Sequence, residues 1–177
     1  MQRLPFADES VEFIFSWAAI EHVPAPELVM SEIERVLKPA GIALFAPAWN
    51  CRSWTVKRLK MRHYRDLSWG DRLDKVTIPI RNHLLWRGIQ SLPSRVWREL
   101  RALLGKSIPF DYCRLQPDFN VNAVHVSDDD AFASMDPYAA IIYFRPRGWQ
   151  VLSHPTFIKR FFSRHEPVVV RKPFKGK

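Results

Sequence analysis

The segment between residues 4 and 47, LPFADESVEFIFSWAAIEHVPAPELVMSEIERVLKPAGIALFAP, decides the fold of this chain. It contains a short apolar run, residues 11–17, which is too short to form a helix. Because this run does not alternate strictly between apolar and polar residues, it predicts a buried strand that is covered on both faces. A second apolar run, residues 42–46, predicts another buried strand.

A helix is predicted between these two strands. Pro26 suits the first turn of a helix, where its missing N–H costs nothing, and Glu27 interacts favourably with the positive end of the helix dipole. The sequence KPAG at residues 38–41 predicts the end of the helix. Its expected apolar stripe consists of Leu28, Val29, Ile33, Val36 and Leu37. Together these elements predict a βαβ unit with parallel strands and a right-handed crossover, within a larger α/β sheet.

The motifs in this segment resemble those of a known enzyme family. LPF-x-D-x-S-x-E-F, then EHV, then EI-x-RVLKP-x-G occur in this order over residues 4–41. This order and spacing resemble the class I S-adenosylmethionine-dependent methyltransferases, in particular the broad group called methyltransferase type 11. That family usually has glycine-glycine or aspartate-glycine after the proline, where this chain has Ala40 and Gly41.

The resemblance implies a partial Rossmann-like sheet of the class I methyltransferase type, whose last pair of strands is antiparallel. Several features that relatives carry before the LPF motif are not found: the glycine-rich GxGxG loop, the acid that binds the ribose of the cofactor, and an aspartate near the adenine. We therefore expect the chain to be an N-terminally truncated domain that lacks about two βαβ units. On this view it binds no S-adenosylmethionine measurably and is inactive alone.

The resemblance also assigns roles to residues that follow the two strands, where α/β proteins bind their ligands. Ser16, Trp17, Ala18 and Glu21 are expected to bind the cofactor, and Trp49 and Asn50 to contact the acceptor. His22 is the candidate catalytic base, because its unperturbed pKa is close to working pH. The alternative for His22 is a structural role, in which it fixes the turn between strand and helix.

Composition limits the possible environments and partners. The chain has 177 residues, of which 47% are hydrophobic, and this predicts a globular protein with a real core. Cys51 and Cys113 show no metal-ligand or disulfide spacing, so two reduced cysteines are expected. No apolar run approaches 18 residues and no signal peptide is recognisable, so we expect a cytoplasmic protein. The net charge of +9 favours anionic partners.

Residues 48–120 are predicted to form a basic, Trp-rich helical insertion that caps the acceptor side of the domain. Residues 52–106 contain fourteen Lys and Arg residues against four acids. Helices are predicted over residues 53–62, 84–92 and 94–104, the last with Ser94 as N-cap and Gly105 as stop. The cap either holds an anionic or glycan-like acceptor through its Arg and Trp side chains, or is a solvated basic surface. In the second case Trp69, Trp86 and Trp97 fill a small core of their own.

Residues 121–177 are predicted to complete the core that residues 1–47 begin. Ser127 and Asp130 form a capping pattern, which is favoured over a metal site at Asp128, Asp129 and Asp130 because no further ligand follows at a suitable spacing. We expect no metal. A helix is predicted from Asp136-Pro137, strands over residues 149–153 and 167–172, and a short helix or loop over residues 156–164.

Two functions remain open at this stage. The first is methyl transfer from S-adenosylmethionine to an unidentified acceptor. The second is a non-catalytic basic interaction module that binds an anionic partner, either a membrane surface or nucleic acid; no known nucleic-acid-binding motif is recognisable. In both cases the strand at residues 11–16 lacks a neighbour on one side. We therefore expect it to present an apolar face that self-associates or pairs with a complementing N-terminal half.

Overall fold

The computed structural model describes residues 3–120 and 128–174, which form a mixed α/β fold. Its strands are β1 (Val11–Trp17), β2 (Leu37–Ala46), β3 (Cys113–Arg114), β4 (Ala133–Ser134), β5 (Gln150–Val151) and β6 (Val168–Arg171). Its helices are α1 (Pro26–Val36), α2 (Ser53–Val56), α3 (Trp69–Asn82), α4 (Leu84–Leu103), α5 (Pro137–Phe144) and α6 (Phe157–Phe161). Four strands form the main sheet in the order β1-β2-β6-β5, and β3 pairs with β4 in a separate small sheet.

The predicted βαβ unit is confirmed. Strand β1 pairs with β2 in parallel, and α1 connects them. Pro26 occupies the first turn of α1, and the helix buries Met30, Ile33 and Val36. The predicted apolar stripe was wrong about Leu28, which is 47% exposed, and did not include Met30. Strand β6 then pairs antiparallel with both β2 and β5. The main sheet therefore contains parallel and antiparallel strands, as a Rossmann-like fold with an antiparallel end would.

The expectation that β1 is covered on both faces is wrong. Strand β1 lies at the edge of the main sheet, and among residues 3–120 and 128–174 no other strand pairs with its outer side. Phe13, Phe15 and Trp17 are 57%, 58% and 63% exposed. Because these three residues alternate along the strand, they lie on the same face of the sheet. The expectation of an exposed apolar face on this strand is confirmed.

The end of α1 also differs from the prediction. Leu37 starts β2 instead of closing the helix, and residues 38–41 continue that strand through an irregularity in its pairing with β1. Ala40, rather than Gly41, adopts a left-handed backbone with φ of 63°. Gly41 is required for a different reason: a Cβ there would lie 2.9 Å from the Lys38 carbonyl and 3.0 Å from the Glu12 carbonyl. The usual glycine pair thus meets two separate requirements, which are a left-handed backbone at position 40 and the absence of a Cβ at position 41.

Arg35 explains why the LPF and ERVLKP motifs occur together. Its guanidinium donates to the carbonyls of Leu4 and Phe6, at 3.2 and 2.9 Å, and to Asp8 Oδ1 at 2.6 Å. It also binds Glu32, which accepts a further hydrogen bond from the Leu4 N–H. These bonds, led by those from Arg35, lower the pKa of Glu32 to about 2. The helix therefore holds the preceding turn against the start of β1.

The C-terminal segment packs on the main sheet largely as predicted. Helix α5 begins at Pro137 and is capped by Asp136, which accepts a hydrogen bond from the Ala139 N–H. All eight of its residues are buried. Phe144 stacks on Phe45 of β2 with ring centroids 5.6 Å apart. The predicted strands and the short helix α6 are present, although β5 has only two residues.

The middle segment departs most from the prediction. Helix α2 has four residues instead of ten, α3 was not predicted, and α4 is one continuous helix that contains Pro93. Ser94 is therefore not an N-cap. The small core of this segment consists of Trp54, Leu59, Leu67 and Ile78. Trp69, Trp86 and Trp97 are 73%, 41% and 63% exposed, so the idea that they fill a core is wrong.

Three remaining expectations concern the acids, the cysteines and the domain limits. Ser127 lies outside the described residues, while Asp129 is buried and binds Arg58 Nε at 2.8 Å. Cys51 and Cys113 are both free thiols. The main core contains residues of all three proposed segments, 1–47, 48–120 and 121–177, and this division stays a prediction.

No helix of the described residues has the length and hydropathy needed to cross a bilayer.

Candidate functional site

The predicted cofactor residues lie where β1 and β2 end. Because the two strands are parallel, their carboxyl ends meet at one edge of the sheet, which is where α/β proteins bind ligands. The Ala18 N–H donates to the Ala46 carbonyl at 2.9 Å and so extends the strand pairing by one residue. Ala18 then adopts a left-handed backbone with φ of 45°, which turns the chain away from the sheet. Trp17 stays largely exposed beside this turn.

Glu21 joins the loop after β1 to the loop after β2. Its side chain is completely buried, and Oε1 accepts a hydrogen bond from the Ala48 N–H at 2.9 Å. Its backbone carbonyl accepts another from the Phe132 N–H at 2.8 Å. Oε2 has no hydrogen-bond partner within residues 3–120 and 128–174. Since an unpaired buried carboxylate oxygen is costly, this atom needs a hydrogen-bond donor from elsewhere.

His22 is held between two carboxylates. Its Nε2 lies 3.8 Å from Glu21 Oε1, and its Nδ1 lies 3.3 Å from Asp130 Oδ1. The ring is about one third exposed, at 34%. This position allows it either to take up a proton with support from two acids or to fix the turn between strand and helix. Its role as the catalytic base stays a prediction.

The two predicted acceptor contacts lie in different surroundings. Trp49 packs in the main core with 8% of its surface exposed. Asn50 adopts a left-handed backbone with φ of 63°, and its N–H donates to the Met135 carbonyl at 2.7 Å. The Asn50 side-chain amide donates to the Arg164 carbonyl at 2.9 Å. Asn50 lines the cavity described next, and Trp49 does not.

A cavity of about 300 Å³ lies beyond the carboxyl end of β2. Its charged and polar lining includes Asn50, Arg52, Arg87, Arg95, Asp136 and Arg164. Arg95 is already engaged: it binds Asp136 Oδ2, the Ser163 carbonyl and the Phe161 carbonyl. The side chains of Arg52, Arg87 and Arg164, by contrast, have no hydrogen-bond or ion-pair partner in the described part of the chain.

The three unpaired arginines repel one another. Burial, and after it the nearby Arg87 and Arg81, lowers the pKa of Arg52. Burial, and after it Arg164, lowers the pKa of Arg87. Three half-buried guanidinium groups around one cavity offer hydrogen-bond donors of the kind that suit an anion, because arginine binds phosphate and carboxylate oxygens with two parallel hydrogen bonds.

Sequence reasoning identified the basic character of this segment but not these three residues. Arg164 comes from the C-terminal segment, 114 positions after Asn50, so neither periodicity nor local spacing could place it here. Cys51 does not line the cavity but packs with Val56, Leu115 and Ala131, and burial raises the pKa of its thiol to about 12, which disfavours a thiolate at neutral pH. Among the residues described, no group of three or more His, Cys, Asp and Glu side chains could hold a metal ion.

The βαβ unit makes this chain a mixed α/β protein, and its carboxyl edge is the place where proteins of that class bind their ligands. Residues 1–45 match the family model described as a methyltransferase domain, so the resemblance is confirmed for this segment. The match covers 45 of 177 residues, which include β1, α1, nearly all of β2, Glu21 and His22. No curated protein matches the chain.

Proposed function

We propose that this chain takes part in the transfer of a methyl group from S-adenosylmethionine to an acceptor that carries an anionic group. The proposal is supported above all by the methyltransferase match over residues 1–45, which coincides with the βαβ unit that carries the site. The cofactor would supply an electrophilic methyl group on a sulfonium. The residues of the chain bind and orient both reactants and deprotonate the acceptor, while the donor would leave as the neutral thioether S-adenosylhomocysteine.

The residues at the end of β1 fit such a cofactor. Glu21 Oε2 is a buried acceptor to which no group of the described residues donates, and S-adenosylmethionine offers both ammonium and hydroxyl donors. The exposed ring of Trp17 presents an aromatic surface of the kind that attracts a cation. In this proposal Ser16 and Ala18 complete the cofactor side through the turn that follows the strand.

His22 acts as the base in this proposal. A hydroxyl or amine acceptor must lose a proton as it gains the methyl group, and the neutral imidazole takes this proton. The carboxylates of Asp130 and Glu21 lie 3.3 and 3.8 Å from the ring nitrogens and position the ring in this proposal. Exclusion of water and a fixed orientation of the two reactants supply the rest of the rate enhancement.

The arginine cavity holds the acceptor in this proposal. Arg52, Arg87 and Arg164 bind its anionic group, and Asn50 connects the cavity to the carboxyl edge of the sheet. A polar group of the acceptor that lies between the cavity and His22 would then receive the methyl group.

The cofactor side needs a further strand beside β1. Ser16 and Trp17 belong to a strand that pairs on one side only within the described residues, so the cofactor would face solvent there. We therefore expect the 177-residue chain alone to show no measurable heat in a calorimetric titration with S-adenosylmethionine. A dissociation constant on the order of micromolar would contradict this expectation.

The function itself is tested by complementation. A polypeptide that carries a strand, a GxGxG loop and a helix is mixed with the chain, and the titration is repeated. We expect binding to appear, and to fall at least about tenfold in Glu21→Gln, which loses one charged acceptor.

Inorganic phosphate is titrated in parallel against the wild type and Arg87→Ala. Loss of phosphate binding in the variant supports the acceptor site even if cofactor binding fails. If the complemented chain binds no S-adenosylmethionine, the proposal of methyl transfer is wrong.

A further inference from the structure

Helix α3 turns its apolar side toward solvent. Trp69, Leu73, Val76 and Ile80 follow one another at spacings of four, three and four residues, which places them on one side of the helix. Each of them is more than half exposed, between 54% and 73%. Ile78, on the opposite side, is the buried residue of this helix.

Helix α4 also turns its apolar side toward solvent. Its apolar stripe consists of Leu85, Ile89, Leu92, Val96, Leu100 and Leu103. These side chains are 39% to 76% exposed, whereas the buried positions are Arg95 and Glu99. An amphipathic helix at the surface of a soluble protein normally buries its apolar side and exposes its charged side. Both helices therefore present to solvent the side that another surface would be expected to cover.

The two stripes belong to a helical hairpin. Only His83 separates α3 from α4, and a groove of about 450 Å³ at this corner is lined by Ile80, Leu85, Trp86 and Ile89 among others. We call the exposed stripes of α3 and α4, together with Trp86 and Trp97, the hairpin face. The 20 residues of α4 span about 30 Å. An apolar surface of this extent exceeds the scattered exposed residues of an ordinary soluble protein.

The charge around the hairpin face indicates what covers it. Residues 52–106 contain fourteen basic and four acidic residues, a net charge of +10. Four of the bases pair with acids of other segments, namely Arg58 with Asp129, Arg62 with Asp118, Arg95 with Asp136 and Arg98 with Asp111, and Arg52 and Arg87 line the arginine cavity. Two of the four acids are neutralised locally, Asp71 by Lys57 and Asp74 by Arg81. Lys60, Arg65 and Lys106 are exposed. Apolar helix faces with a basic surround and tryptophan side chains are typical of helices that lie in the interface of an anionic bilayer.

We propose that the hairpin face docks on an anionic membrane surface, with α3 and α4 parallel to the bilayer plane. The exposed Leu, Ile, Val and Trp side chains enter the region between headgroups and acyl chains. The basic residues around them attract the anionic headgroups. This proposal goes beyond the proposed methyl transfer, because it concerns where the chain is located and not which reaction it performs.

Vesicle flotation tests the proposal with the full chain. Protein is mixed with vesicles of phosphatidylcholine, or of phosphatidylcholine with phosphatidylglycerol, and centrifuged in a density gradient. Bound protein floats with the vesicles, while aggregated protein sinks. We expect flotation with the anionic vesicles, weaker flotation with the neutral ones, and a decrease as salt is raised.

Two matched variants test the surface. Ile89→Glu places a charge in the centre of the hairpin face, and Ile158→Glu places one on α6, where Ile158 is equally exposed at 68% against 65%. Because both positions are exposed, neither change should unfold the protein, and circular dichroism verifies this. We expect Ile89→Glu to lower the vesicle partition constant by about tenfold or more, and Ile158→Glu to leave it nearly unchanged.

Three results would overturn the proposal. The first is an absence of flotation with anionic vesicles. The second is equal flotation with both lipid compositions, which would remove the role of charge. The third is an equal effect of the two variants. If the wild type does not float and forms a dimer that Ile89→Glu dissociates, the hairpin face covers a second copy of the chain instead.

Discussion

At the scale of single residues, positions 40 and 41 show how one motif combines two separate constraints. Ala40 has a left-handed backbone, with φ of 63°, which suits glycine because it has no Cβ. Gly41 lies against the carbonyls of Lys38 and Glu12, where a Cβ would come within 3.0 Å of both. The first position therefore carries strain in this chain, and the second does not. For a residue other than glycine this strain is on the order of 1–2 kcal/mol.

Replacement of Ala40 by glycine should therefore stabilise the protein. We expect Ala40→Gly to raise the free energy of unfolding by about 1 kcal/mol, because relief of the left-handed strain exceeds the entropy that glycine adds to the unfolded chain. Urea denaturation followed by circular dichroism measures the change. Ala46→Gly, in the same strand but without a positive φ, is the matched control and should lower stability by roughly 0.5–1 kcal/mol. A loss of stability in Ala40→Gly would show that the backbone there is not strained.

At the scale of elements, the sequence patterns predicted those helices and strands that are determined by residues close together in the chain. Helix α1 begins at its proline, α5 begins at Pro137 directly after the capping Asp136, and β6 contains an unbroken run of valines. In α3 and α4, Pro79 and Pro93 suggest breaks, because a proline inside a helix removes a hydrogen bond. Contacts elsewhere in the molecule overcome that cost, and no local pattern reveals such contacts.

The candidate site also has one part that the sequence predicted and one part that it did not. The ends of β1 and β2 were predictable, because parallel strands place their carboxyl ends together and the motif gives their order. The cavity was not, since Asn50, Arg87 and Arg164 come from three distant parts of the chain. Helices were predicted over residues 84–92 and 94–104, where α4 runs, but periodicity alone does not tell whether the apolar side of a helix faces a core or solvent.

Arg95 is one of the contacts that hold α4 in place, together with the ion pairs of Glu99 with Arg145 and of Arg98 with Asp111. It is 8% exposed, lies over the ring of Tyr138 at 4.9 Å, and binds Asp136 Oδ2 at 2.5 Å as well as two carbonyls of the α6 region. We expect Arg95→Ala to destabilise the protein by roughly 3 kcal/mol, because it leaves these partners buried and unpaired. Thermal and urea unfolding measure the loss.

Arg81→Ala provides the comparison for Arg95. Arg81 also pairs with an acid, Asp74 Oδ1 at 2.8 Å, but both side chains are about one third exposed, at 33% and 38%. Its removal should cost less than about 1 kcal/mol, as is usual for ion pairs at the surface. Equal losses in the two variants would mean that Arg95 does not anchor α4.

At the scale of the whole molecule, two separate apolar surfaces are left uncovered by the part of the chain that the structure describes. One is the hairpin face on α3 and α4, and the other is the face of β1 that carries Phe13, Phe15 and Trp17. They differ in what can cover them. The hairpin face presents side chains only, since helix backbones are paired internally. The outer edge of β1 also presents backbone N–H and C=O groups, which another strand can pair with. Self-association through β1 and docking through the hairpin are thus independent properties.

This independence gives a prediction for the behaviour of the protein in solution. We expect the wild type, without lipid, to form larger species as its concentration rises, and Phe15→Lys to shift it toward the monomer. A charge on the exposed face of an edge strand opposes pairing with a second strand and removes apolar surface. Sedimentation velocity over a concentration series measures the distribution.

Leu28→Lys, on the exposed side of α1 at 47% exposure, is the control for added charge and should leave the distribution unchanged. A wild type that remains monomeric and fully soluble at high concentration would contradict the prediction. If Leu28→Lys dissociates the larger species as well, net charge rather than the edge of β1 controls self-association.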